Sequence, residues 1–178
     1  MEKWSVAKCR SKEGDIYYLA NRQRTTIKIS KRNKNFDILK LLEKLEEVGF
    51  PLRFTNGIQQ INFTILGKSD FGWYLDDEVA IDVKRKRRIK TIVETFVHEV
   101  AHHVDFSRVR TISYNLHSER KRKGRYIHSI ATESDDEYFA RGFERFYSLD
   151  RTQKQDLRKH NPKLYREISR LHKQYKSR

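Results

Sequence analysis

The chain has 178 residues and a mass of 21.5 kDa, enough for one domain with a modest core. Apolar residues make up 37% and charged residues 35%, and 12% aromatics with only 7 Gly and 2 Pro exclude a fibrous or disordered composition. The 39 Lys and Arg against 24 Asp and Glu leave a charge of +15, a field that favours polyanions or an acidic partner, and the single cysteine, Cys9, excludes an internal disulfide.

No apolar leader follows Met1-Glu2-Lys3-Trp4, and no apolar run approaches the roughly 18 residues of a membrane span. The expectation is a cytoplasmic protein without a membrane segment, with signal-less delivery as the remaining alternative. Residues 16–31 carry β-branched and aromatic runs, Ile16-Tyr17-Tyr18-Leu19 and then Thr25 to Ile29, that predict strands. Ile38, Leu41, Leu42, Leu45 and Val48 recur at helical spacing over residues 36–48, and Gly49 with Pro51 stops the pattern. Asn56-Gly57 is a turn signal, and residues 61–65 alternate like a half-buried strand. Residues 71–83 read as further strand, the last six alternating polar and apolar. After the basic run Lys84-Arg85-Lys86-Arg87-Arg88, the pattern turns helical from about Thr91 and stays so. Strands followed by helices predict an α+β fold.

His98-Glu99-Val100-Ala101-His102 is the segment that carries chemistry. Two histidines four apart on a helix stand one turn above each other, within reach of one cation, and the adjoining glutamate can reach a water on that cation. At about 100° per residue from His98, Ile89, Val93, Phe96, Val97, Val100 and Val104 fall in an arc of roughly 160–260°. His102 lies at about 40° and Glu99 at about 100°, outside that arc. One face therefore packs on a core while another presents two imidazoles and a carboxylate. The bland alternative is two solvated histidines on an ordinary amphipathic helix.

A zinc ion on two imidazoles needs a third protein ligand and keeps an open position for water. His103, His117, His128, Glu133, Asp135, Asp136 and Glu137 follow in the chain, and His103 points about 100° away from His102. Residues 132–147 form a second helical pattern with Phe139, Phe143, Phe146 and Tyr147 as its core stripe. Glu137 lies off that stripe, where it could face the first helix. Ser134 with Glu137 also fits a capping box, in which the glutamate reaches back to the Ser134 N–H, so spacing leaves both roles open.

His98-Glu99-x-x-His102-x-Val104-Asp105, followed by Glu137-Tyr138-Phe139-Ala140-x-x-Phe143, resembles the anthrax lethal factor-like zinc metallopeptidases of the gluzincin group. Asn161-Pro162-Lys163-Leu164-Tyr165 is similar to a Pro-x-x-Tyr element near the end of such domains. The resemblance spans about residues 77–175, and its first motif is the most specific. It implies a single zincin-like α+β domain over residues 1–178, with a small mixed or antiparallel sheet, an active-site helix and a helical C-terminal half. It further implies one Zn2+ held by His98, His102 and Glu137, with Glu99 as the catalytic base. The family places a transition-state tyrosine seven residues before the ligand glutamate, where this chain has Ile130. Tyr126 or His128, from a shifted loop, are the expected substitutes.

The reaction so implied is endopeptidase hydrolysis of a protein or peptide substrate, with zinc acidifying a water and Glu99 carrying its proton to the leaving amine. Tyr126 or His128 would help the metal stabilise the oxyanion. Asp105, one turn after His102, is expected either to accept a ligand imidazole N–H or to be a solvated helix-end carboxylate. Residues 78–83 are expected to be an edge strand onto which an extended substrate adds by main-chain pairing.

Two basic clusters, residues 84–90 and 120–125, are either solvated faces or contacts for nucleic acid or an acidic partner. Cations just ahead of a helix oppose its dipole, so the first cluster does not serve helix stability. Neither cluster has the aromatic interleaving of a base-stacking surface. Leu164, Ile168, Leu171 and Tyr175 predict an amphipathic helix in the basic tail. Two alternative functions follow: a protease acting on DNA-bound proteins, such as a repressor or a crosslink, and a non-enzymatic basic nucleic-acid-binding module.

Overall fold

The structure is a computed structural model that describes residues 3–22, 25–33, 36–67, 71–84, 87–109, 114–118 and 134–176. Strands β1 (Ser5–Arg10), β2 (Ile16–Arg22) and β3 (Thr25–Ile29) form an antiparallel meander. β2 and β3 are the predicted runs. β1 has no comparable run of its own, and pairing with β2 from Ser5↔Asn21 to Arg10↔Ile16 recruits it into the sheet.

The second sheet has the order β4 (Lys31–Arg32), β5 (Gln60–Thr64), β7 (Glu78–Asp82), β6 (Gly72–Leu75). β5 runs parallel to both β4 and β7, and β6 is antiparallel to β7. Residues 71–83 are strand as expected, in two pieces joined as a hairpin at Asp76 and Asp77, whose φ values of 48° and 61° give the left-handed backbone that a two-residue hairpin turn requires. One expectation is corrected here: residues 78–83 are not an edge, since β7 lies between β5 and β6, and β6 is the outer strand.

Helix α1 (Ile38–Glu47) begins where the Asp37 carboxylate accepts the Lys40 N–H, and it buries Ile38, Leu41, Leu42 and Leu45. Gly49, at φ +68°, ends it in the left-handed conformation. The following turn, Leu52–Thr55, brings Phe54 beside Phe50 in an aromatic cluster. Phe50 lies 6.0 Å from Phe96 of helix α2 (Ile89–Val104) and 5.0 Å from Tyr147, and Phe54 lies 5.1 Å from Phe143 of helix α3 (Asp135–Phe146). These mostly edge-on contacts clamp α2 against α3.

The described residues of the C-terminal half are mostly helical, as predicted, with α4 (Arg151–His160) and α5 (Pro162–Lys176) following α3. Leu164, Ile168 and Leu171 are the buried stripe of α5. Gly142 lets α5 approach α3 closely, since a Cβ there would lie 2.4 Å from Leu164 Cδ2. The Tyr138 hydroxyl donates to the buried Asn161 side chain at 3.1 Å, and Tyr165 packs 5.3 Å from Phe146, so the Asn-Pro-x-x-Tyr element docks on α3. Among the described residues the fold is thus α+β, with the strands and α1 ahead of α2 and helices after it. Among the described residues, no helix is long and apolar enough to cross a membrane.

Candidate metal centre

α2 buries the predicted apolar arc, with Val93, Phe96, Val97, Val100 and Val104 all nearly inaccessible. The same helix carries His98, Glu99 and His102 toward α3, and α3 returns Glu137 to them. His98 Nε2 and His102 Nε2 are 3.1 Å apart, and Glu137 Oε1 lies 3.5 Å from the first and 3.4 Å from the second. Among the described residues this is the one trio of His, Cys, Asp or Glu side chains converging at metal-binding distances.

These lengths fit a tetrahedral ion. Donors about 2.0–2.1 Å from zinc, separated by the tetrahedral angle, lie about 3.3–3.4 Å apart, and the three observed edges bracket that value. The second oxygen of Glu137, Oε2, is buried without a hydrogen bond, as suits a carboxylate supplied for coordination. Ser134 does cap α3, accepting the Glu137 N–H at 3.4 Å, but the glutamate side chain turns to the histidines rather than back to the cap.

Two residues that the sequence reading missed complete the cluster. Glu144 Oε2 lies 3.3 Å from His98 Nδ1, without the alignment of a hydrogen bond, and takes a 2.7 Å bond from Arg141 Nη1. Arg141 Nε is also 3.8 Å from Glu137 Oε2, so one guanidinium serves both carboxylates. Glu144 thus stands behind the His98 ring, and Asp105, expected as one alternative to be a solvated helix-end carboxylate, is instead buried at 4% exposure. Spacing could have suggested Glu144, since residues 137, 141 and 144 share a helix face opposite Phe139, Phe143 and Phe146. His102 Nδ1 faces Asp136 Oδ2 at 3.7 Å.

Electrostatics follow from this crowding. Burial disfavours charge on His98, but the Glu137 and Glu144 carboxylates outweigh it and raise its pKa to about 9. Burial likewise opposes charge on Glu137, yet the two histidines pull it well below the usual carboxylate range. Glu99 is 7% exposed, and its burial raises its pKa against the opposing pull of His98 and His102. β6 covers this carboxylate: a Cβ on Gly72 would sit 3.0 Å from Glu99 Cγ and 2.7 Å from Thr95 Cγ2.

Other histidines have separate work. His103 Nε2–H donates to the Asn56 carbonyl at 3.1 Å, and its Nδ1 lies 3.3 Å from the Tyr74 hydroxyl, tying α2 to β6 and to the turn at Gly57, consistent with its orientation away from His102. His117 contacts Asp135 through Nδ1 and stacks 5.4 Å from Tyr138. Tyr126, His128, Ile130 and the 120–125 cluster lie outside the described residues, as do Arg85 and Lys86 of the first cluster. The remainder of that first cluster turns partly inward. Asp82, 1% exposed, accepts the Leu66 N–H at 2.8 Å, pairs with Arg87 and lies 3.5 Å from Lys84, so part of the run anchors the β7–α2 connection.

No model of a known protein family matches the chain, and no curated protein is significantly similar to it.

Proposed function

We propose that this chain is a zinc-dependent endopeptidase of the lethal factor-like kind, with His98, His102 and Glu137 as metal ligands and Glu99 as general base. The observation that carries the reading is the triangle of donor atoms with edges of 3.1, 3.4 and 3.5 Å, built from two helices beside a buried glutamate. When bound there, zinc would acidify a water and polarise the scissile carbonyl. Glu99 takes the proton from the attacking water and passes it to the leaving amine, and its raised pKa suits a group that must both accept and release a proton. Glu144 fixes the His98 ring, and Arg141 offsets the charge of the two glutamates. A peptide substrate would pair with β6, the outer strand that lies over Glu99, in place of the interior β7. The test is hydrolysis of an unstructured protein that chelator abolishes and zinc restores. A basic nucleic-acid-binding module would instead bind DNA or RNA salt-sensitively and ignore both chelator and His98→Ala.

A further inference from the structure

Away from the His98–His102–Glu137 cluster, the end of α3, the start of α5 and one face of α4 border an open cleft of about 400 Å3 against the end of α1. Arg151, Lys154 and Arg158 line it, three and four residues apart and therefore on one side of α4. Its single acidic wall residue, Glu47, is already held by Lys44. None of the three cations forms an ion pair among the described residues. Instead Lys154 Nζ sits 3.8 Å from the Phe146 ring centroid, and Arg158 Cζ lies 5.9 Å from that of Tyr165. The Phe146 ring belongs to the core, so Lys154 is partly drawn out of water, and that burial lowers its pKa. Three cations against one acidic residue, in a concave site with aromatic walls, favour an anion.

We propose that this cleft binds a phosphate monoester of mononucleotide size. Guanidinium forks match the paired oxygens of a carboxylate and of a phosphate alike, and three cations together suit the charge of a phosphate dianion better than that of a monocarboxylate. The volume lies within the range of small-ligand pockets, roughly 300–1,000 Å3, and Tyr165 offers a face for the organic body. No wall residue is a proposed zinc ligand, so the inference stands apart from the peptidase reading.

The test titrates the full chain with inorganic phosphate and with adenosine 5′-monophosphate at near-physiological salt, followed by calorimetry and by backbone amide shifts. Saturable binding is expected, with shifts confined to Arg151–Arg158 and the neighbourhood of Tyr165. Combined Arg151→Gln, Lys154→Gln and Arg158→Gln should weaken it by at least about tenfold, while Lys8→Gln, Lys12→Gln and Lys40→Gln, which remove equal charge elsewhere, should leave it within about twofold. A duplex oligonucleotide, which carries phosphodiesters, reports attraction to the overall charge. Absence of saturable binding by the wild type, scattered shifts, or equal weakening in both triple variants would each overturn the proposal. The wild-type shift map keeps the test valid if the pocket variant fails to fold.

Discussion

His98 is held between two carboxylates of one helix: Glu137 Oε1 lies 3.5 Å from its Nε2, and Glu144 Oε2 lies 3.3 Å from its Nδ1. Residues 137 and 144 are seven apart on α3, close to two full turns, so both side chains leave the helix in the same direction. A carboxylate behind a ligand imidazole fixes its orientation and strengthens it as a donor. Glu144→Ala is therefore expected to lower zinc affinity about 10–100-fold, read by chelator competition on folded protein, and Glu144→Gln to lose less. An unchanged affinity in Glu144→Ala would remove Glu144 from the site.

Glu99→Gln separates metal binding from catalysis. The variant keeps the ligand triangle and is expected to retain zinc while hydrolysing an unstructured substrate about 10²–10⁴-fold more slowly. Wild-type turnover by a zinc-loaded Glu99→Gln protein would contradict the role given to this residue.

Gly72→Ala probes the contact between the outer strand β6 and helix α2. The added Cβ would meet Thr95 Cγ2 at 2.7 Å, the Ala80 carbonyl oxygen at 2.9 Å and Glu99 Cγ at 3.0 Å. The carbonyl belongs to the paired strand β7 and cannot swing aside, so β6 must shift. A stability loss of about 1–3 kcal/mol in denaturant unfolding is expected, with a fall in hydrolysis beyond what the unfolded fraction explains. Full activity at wild-type stability would show that β6 is free to move.

Asp82 supplies a pH prediction. Burial opposes its charge, but the Leu66 N–H, Arg87 and Lys84 together hold its pKa below the ordinary value. A carboxylate depressed in the folded state contributes stability above its unfolded pKa of about 3.9 and loses it as pH falls through the lower folded value. Asp82→Asn should cost about 3 kcal/mol near neutrality, and its unfolding free energy should fall less steeply than that of the wild type below about pH 4. Parallel acid limbs in the two proteins would refute the coupling.

Much of this arrangement is legible from residue order alone, because it depends on helical periodicity. Val93, Phe96, Val97, Val100 and Val104 define a buried arc, which leaves His98 and His102 on a different face, and the structure brings Glu137 to them from α3. Glu144 and Arg141 are harder to read, since an acidic and a basic residue on a helix look like surface charge until α3 is docked on α2. The hairpin at Asp76-Asp77 was hidden by its lack of glycine, and with it the fact that β6 rather than β7 is the outer strand. β1 depends on pairing with β2, which no local pattern announces.

Elemental analysis of the purified wild type beside Glu137→Ala and His98→Ala addresses the metal centre directly. The account predicts one zinc per chain in the wild type and its loss, at matched zinc exposure, in both variants. A wild type that takes up no divalent metal after zinc dialysis, or variants that hold as much as the wild type, would contradict it.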